Sequence, residues 1–468
     1  MRVVFLSDLH LGSGRVAPIF AGAAELPALL DGLDGPDVHV IVNGDAFDFL
    51  LNDDPLNLDE GRAVAEAEAM ARQPASKAVL YALGRVLARG GEVTVRLGNH
   101  DVELALDAVQ HMLRCSMGQP ESVAERLCFE RGEAPGLLEV GGVRVLYTHG
   151  EHSDAWNRID YGDLEAGRFH YPPGSELVKG LINPLKARGL AFVDLLKPDI
   201  HGAVLAALAV DPAAVRAVDL GLVARLVGRV MRRKHDPLSF SWRSGSDVPE
   251  SAISPTPDPL ADRLDAAGLT DDEREAVAAL LDGSAPTFRS HPEALSFGGA
   301  DRGSEAEPAG GDLALGKVLR AGLLPYARFH RSVAGEAGRA FFELVPGKEE
   351  WAEAERLARS HKAQVVVQGH SHAARLRAED RLVYANTGTW IGLMRLPDPD
   401  APAADWAAFL ERLRANPGLD PAKAGEPVLK RLTAVEIHEV PGGATVSLFA
   451  WESGGRQDLL TATVRAAG

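Results

Sequence analysis

The sequence predicts an α/β protein in which two mixed β-sheets pack face to face, with helices outside and a large, mainly helical insertion. Three observations carry this expectation. Five short apolar runs rich in β-branched residues each end in a polar fragment, as buried strands do when they deliver side chains to one crevice of an α/β sheet. Strand and helix patterns alternate toward both ends of the 468 residues. Far more chain lies between the fourth and fifth runs than such a core needs.

Residues 3–6 form the first expected strand and lead into Asp8-Leu9-His10. A short helix is expected at 26–33. Residues 38–42 precede Asn43-Gly44-Asp45. A longer helix is expected at 76–88, where Val79, Leu80, Leu83, Val86 and Leu87 make an apolar stripe and Gly90-Gly91 stops it. Residues 93–97 precede Gly98-Asn99-His100-Asp101, and 143–147 precede Thr148-His149-Gly150. The rhythm returns with a helix at 349–361 and a strand at 364–368 leading into Gly369-His370-Ser371-His372. A strand at 381–386 ends in Asn386-Thr387-Gly388-Thr389-Trp390, and runs at 432–440 and 444–451 flank the hairpin signal Pro441-Gly442-Gly443.

This divides the chain into a discontinuous core, 1–155 and 335–468, around an insertion at 156–334 that either caps the site or docks a partner or a membrane. A smaller insertion at 397–427 carries a short helix near 406–413. Within the large insertion, Asp211-Pro212 opens a helix with the stripe Val215, Val218, Leu222, Leu226 and Val230. Arg225, Arg229, Arg232, Arg233 and Lys234 gather toward its end; they are read first as complementing the helix dipole in solvent and second as a seat for a phosphate or an anionic membrane surface. Thr270 and Glu273 form a capping box for another helix that stops near Gly283, and 298–311 has little to bury.

Composition narrows the function. The formal net charge is −17, which disfavours long nucleic acid as a partner. Cys115 and Cys128 are the only cysteines, so neither a disulfide framework nor a zinc knuckle is expected. The first strand begins at the first residues, leaving no room for a removable signal peptide, and no uncharged apolar run reaches the ~20 residues of a membrane span. The cytoplasm is the expected compartment.

Two carboxylates, one amide and four imidazoles are thus expected to meet at one point, enough donors for two metal ions. Such oxygen and imidazole donors suit Mn²⁺, Fe or Zn²⁺ better than Ca²⁺. In order, the five fragments follow DxH, GDxxD, GNH[DE], a single His before Gly, and GHxH. With these motifs the chain resembles the calcineurin-like metallophosphoesterase superfamily over about residues 1–155 and 335–455. The resemblance implies that superfamily's sandwich of two mixed sheets flanked by helices. It assigns Asp8, His10, Asp45 and His372 to one divalent ion, and Asp45, Asn99, His149 and His370 to the other, with Asp45 bridging and Mn²⁺ the foremost metal. It also implies hydrolysis of a phosphomonoester, phosphodiester or pyrophosphate by a hydroxide bridging the metals. His100 would be the general acid and Asp48 the carboxylate that orients it. Asp101 is a weaker supporting candidate, while His152 and Asp154 read as a solvated loop.

Serine/threonine phosphoprotein phosphatases have Arg after the second Asp of GDxxD and end the next block in Glu; here those positions are Phe49 and Asp101. Asp8-Leu9-His10-Leu11-Gly12 and the block from Gly44 to Phe49 look like the UDP-2,3-diacylglucosamine hydrolase branch, which cleaves a pyrophosphate in lipid A synthesis. The chain differs from that branch in having His100 where Arg is usual, and in its larger insertion. A small or lipid-linked phosphoester is the expected substrate. Two other readings remain: a nuclease of the same superfamily, which needs a basic, aromatic-lined groove, and a noncatalytic protein-binding scaffold on this fold.

Overall fold

The computed structural model describes residues 1–154, 156–197, isolated positions between 203 and 214, and 341–466 apart from 399, 400, 453 and 454. The expected helix with the basic end from residue 215 on, the helix from Thr270 and the stretch at 298–311 lie outside the described residues.

Two mixed sheets form the centre. The seven-stranded sheet runs, edge to edge, Gly455–Arg465, Gly443–Glu452, Thr433–Val440, Arg2–Leu6, Val38–Asn43, Glu92–Arg96 and Leu127–Glu130. The four N-terminal strands are parallel, and the three C-terminal strands join them antiparallel through Arg2–Leu6. The five-stranded sheet runs Gly136–Val140, Val143–Tyr147, Val365–Gln368, Leu382–Thr387 and Ala374–Glu379. Its central three strands are parallel. The expected sandwich with outer helices is therefore observed.

Strand alternation explains the layering. Val3 and Phe5 face Val145, Val365, Val367 and Ile437 in the core between the sheets. Val4 and Leu6 point the other way, into a second core with Leu26, Leu30, Val79, Leu83 and Leu87 from the helices Glu25–Asp31 and Pro74–Ala88. Val366 likewise turns to Trp351 and Leu357 of the helix Lys348–His361. Each such fully buried side chain contributes roughly 1.5–3 kcal/mol, so a one-residue slip in register would reverse both faces at once.

Residues 173–197 and the helix Ala403–Ala415 converge. The helical stretch 173–187, wound as a π-helix over Val178–Ile182, and the turn Ala191–Asp194 bury Ile182, Leu185 and Phe192 against Leu393, Met394, Trp406 and Phe409. Strand Leu196–Lys197 pairs in parallel with Gly392–Arg395, and the helix Ala403–Ala415 covers the cluster. Residues 159–164 behave differently: Ile159, Tyr161 and Leu164 bury with the helices that cover the seven-stranded sheet. Among the described residues no helix is long and apolar enough to cross a membrane.

Candidate metal centre

All seven candidate ligands lie on loops that leave the carboxyl ends of strands. Five of them take the left-handed backbone conformation: Asp8, His10, Asp45, His370 and His372, with φ from 49° to 66°. Only three other non-glycine described residues do so. For an L-residue this conformation costs roughly 1 kcal/mol or more, so the surroundings must impose it.

They do so by lacing the loops together. Asp8 N donates to Gly44 O at 3.1 Å, and His10 N to Asp45 O at 3.0 Å. The Asp8 carbonyl accepts from Trp390 N at 3.1 Å and Thr389 Oγ1 at 3.0 Å. Asp8 Oδ2 accepts from His370 N at 3.0 Å and from Ser7 Oγ. His100 N donates to Asp45 Oδ1 at 2.9 Å, and Phe49 N to His100 O at 3.1 Å. The motif glycines permit the approach: a Cβ on Gly44, whose φ is +92°, would run into the His149 ring, and one on Gly98 would run into the Asp45 carboxylate.

Three clusters result, each with its donor atoms within 4.8 Å of one another: Asp8, His10 and His372; Asp45, His149 and His370; and His10, Asp48 and His100. Asp45 Oδ2 lies between the first two, 3.8 Å from His10 Nε2 and 3.3 Å from His149 Nε2. Asn99 Oδ1 is 3.3 Å from His149 Nε2, and His372 Nε2 is 3.3 Å from Asp8 Oδ1. Asp8, Asp45, Asp48 and His149 are buried, whereas the side chains of His100, His370 and His372 remain 14–19% exposed, so the cleft opens on their side.

Outer contacts set the imidazole tautomers, because a neutral ring that donates through one nitrogen offers a lone pair on the other. His149 Nδ1 faces the Asn43 carbonyl at 2.9 Å, which leaves Nε2 for Asp45 and Asn99. His10 Nδ1 is 2.9 Å from Asp48 Oδ2, which leaves Nε2 toward Asp45. The same Asp48 oxygen lies 3.1 Å from His100 Nδ1, while its other oxygen accepts from Leu50 N at 3.1 Å. Asp48 is thus both a turn residue and a shared partner of two histidines.

Asp101 and Asp154 are more deeply engaged than their sequence contexts suggest. Asp101 is fully buried; Oδ2 accepts from Ala46 N at 2.8 Å and Phe47 N at 3.3 Å, and Oδ1 from Gly98 N at 2.6 Å. Burial and the Asp45 carboxylate push its pKa up to about 8, against the N–H groups of Gly98 and Phe47. Geometry favours the ionised form, since both oxygens meet N–H donors. The solvated-loop expectation for Asp154 is overturned: it is 1% exposed, and its Oδ2 lies 3.1 Å from His370 Nε2. Nothing local distinguishes it from an ordinary turn Asp, and its partner is 216 residues away. His152 is also engaged, with Nε2 3.1 Å from Glu353 Oε1.

The residues fit divalent cations. Burial opposes charge on His149, yet Asp45 outweighs it and raises the pKa to about 10. His100 is raised to about 10 in the same way, by Asp48 and Asp45 against burial. Burial pushes Asp48 up, but His100 and His10 hold it well below the usual carboxylate range. At both imidazoles the carboxylates outweigh burial, a field that draws in positive charge, whether protons or metal ions. The buried atoms Asp8 Oδ1 and His10 Nε2 make no hydrogen bond, as donor atoms reserved for a cation would not.

Residues 1–188 match the family model for calcineurin-like phosphoesterase, which spans four of the five fragments and ends before His370. Among solved structures, the chain is similar to a crystal structure of a Vps29 single mutant from Entamoeba histolytica, at 11% identity and a TM-score of 0.16. That likeness covers 27% of this chain and 52% of the other, about half its length. No curated protein matches the sequence. Residues 1–188 are therefore similar to the calcineurin-like phosphoesterases, a family that binds divalent metals, and the His/Asp clusters are compatible with metal-dependent phosphoester hydrolysis.

Proposed function

We propose that this chain is a phosphoester hydrolase with two divalent ions, one held by Asp8, His10, Asp45 and His372 and the other by Asp45, Asn99, His149 and His370. The observation that carries this reading is the position of Asp45 Oδ2 between His10 and His149. Mn²⁺ is the foremost candidate, and Fe or Zn²⁺ suits the same donors. Bound there, the ions would supply an acidified water as nucleophile and positive charge for the phosphoryl oxygens. His100 serves as general acid. With Nδ1 turned to Asp48, its Nε2 carries the proton given to the departing ester oxygen. A proton donor at that point suits alkoxide leaving groups. Asp48, shared by His10 and His100, keeps the acid aligned with the ligand set.

The insertion at 156–334 acts in this reading as a cap that selects substrate. Asn183 Nδ2 donates to Leu50 O at 2.7 Å and Asn52 O at 2.9 Å, and Lys179 Nζ donates to Asn52 O at 3.0 Å. These bonds fix the loop that follows Asp48. The Asp194 carboxylate also adds to the field that raises the His100 pKa.

The substrate class is a small or lipid-linked phosphoester, and the likeness of the Asp8 and Asp45 blocks to UDP-2,3-diacylglucosamine hydrolases favours including a pyrophosphate. The test is a panel run on Mn²⁺-loaded protein: a phosphomonoester, a phosphodiester, a nucleoside diphosphate sugar and DNA. Hydrolysis of at least one of the first three, abolished by chelation, is expected. Cleavage of DNA alone would favour a nuclease, and full metal occupancy with no hydrolysis would favour a protein-binding scaffold.

A further inference from the structure

Asp154 is a buried carboxylate to which the two-metal reading gives no part. Three contacts define it. Oδ1 accepts from Trp156 N at 2.9 Å, and Oδ2 accepts from Asn157 Nδ2 at 2.8 Å. Oδ2 also lies 3.1 Å from His370 Nε2. A carboxylate that already accepts from two N–H groups meets an imidazole through a donated N–H. Placing the ring proton on Nε2 leaves the lone pair on Nδ1. The His370 backbone is itself held, at φ 66° with its N–H on Asp8 Oδ2. An outer acceptor on one ring nitrogen occurs twice more in the site, there on Nδ1, where Asp48 meets His10 and the Asn43 carbonyl meets His149.

We propose that Asp154 is a positioning residue acting through His370: it fixes the ring and its Nε2–H tautomer so that Nδ1 serves the Asp45–His149 cluster. Through Trp156 and Asn157 it also couples this ligand to the first residues of the insertion. The inference rests on the two-metal reading, and extends it to a residue that the motifs do not include. Outer partners of this kind typically carry 10–100-fold in metal affinity.

The experiment uses the full chain and reads metal binding rather than turnover. Wild type, Asp154→Asn, Asn157→Ala, His370→Ala and the Asp154→Asn/His370→Ala double variant are titrated with Co²⁺ against a competing chelator. Metal per chain and the visible Co²⁺ spectrum are recorded, with a thermal melt of each metal-free protein. Asp154→Asn is expected to weaken one of two ions by roughly 10–100-fold and to shift the spectrum of that site. Asn157→Ala, which removes only the Nδ2 donor to the same carboxylate oxygen and spares the contact with His370, should leave both affinities near wild type. The double variant should bind no more weakly than His370→Ala, because a residue acting through another adds nothing once that one is gone. If the metal-free Asp154→Asn melt shows an unfolded chain, Asp154→Glu, which keeps the charge, takes its place and should retain more affinity than His370→Ala. Wild-type affinity in Asp154→Asn, an equal loss in Asn157→Ala, a loss that adds to that of His370→Ala, or an Asp154→Glu as weak as His370→Ala would each overturn the proposal. A wild-type chain that binds no metal would instead overturn the two-metal reading on which it stands.

Discussion

Asp101→Asn tests how the loops are held. The Asp101 carboxylate joins the loop carrying Asp45, through Ala46 N and Phe47 N, to the loop carrying Asn99 and His100, through Gly98 N. Asparagine has the same shape but replaces one oxygen with an NH₂ group. If the remaining oxygen keeps Ala46 and Phe47, the NH₂ faces Gly98 N–H; Gly98 loses its acceptor and the new NH₂ finds none there, leaving two buried donors unpaired. Each such orphan costs roughly 1–3 kcal/mol, so the variant should lose about 2–6 kcal/mol. Denaturant unfolding in excess chelator measures this without contribution from bound metal. The metal-loaded variant should also bind its ions more weakly, because Asp45 and Asn99 lose their common brace. A metal-free variant as stable as wild type would refute the reasoning.

The remaining predictions concern the acid and the pH dependence of stability. His100→Asn should retain both metals and a folded core while losing roughly 10²–10⁴-fold in turnover on esters with high-pKa leaving groups; nitrophenyl esters, which depart without a proton, should lose much less. An equal loss across leaving groups, read from kcat for an alkyl and a nitrophenyl series, would leave His100 a positioning role only. Burial holds Glu103 up at about 7, against the Tyr171 hydroxyl that donates to it at 2.6 Å. The folded chain thus binds this proton more tightly than the unfolded chain, with its ordinary 4.5. Its stabilising share is fully present below pH ~4.5 and is lost as pH rises through ~7, by an upper bound of roughly 3 kcal/mol. Glu103→Gln, which still accepts from Tyr171, should therefore raise the melting temperature at pH 8 relative to wild type and gain little at pH 4; an equal difference at both values would count against this.

The parts of this protein that repeat a period were legible in the sequence. The strands before Asp8, Asp45, Asn99, His149 and His370 are short, β-branched and bounded by glycine or polar residues, and they appear within a residue or two of the expected positions. The helix Glu60–Arg72 was missed because its buried side is Ala63, Ala67, Met70 and Ala71, too small to stand out as a stripe, although Asp59 caps it through Arg62 N. The edge strand Gly455–Arg465 is largely exposed and polar, so it lacks the apolar run that marks the others. The left-handed backbone at five candidate ligands has no sequence signature, because Asp and His are placed there by tertiary hydrogen bonds rather than by propensity. Contacts such as Asp154 with His370, or Leu196 with Met394, join segments about 200 residues apart and follow from topology alone.

The central claim, two ions sharing one carboxylate, is tested most directly by counting metal in the wild type and in Asp45→Asn after equilibration with Mn²⁺. Neutralising Asp45 removes the oxygen that lies 3.3 Å from His149 and 3.8 Å from His10, so both sites should weaken together. Two Mn²⁺ per wild-type chain, with occupancy of both sites and phosphoester hydrolysis falling in parallel in the variant, is the predicted result. Full occupancy of both sites with normal turnover in Asp45→Asn would contradict it.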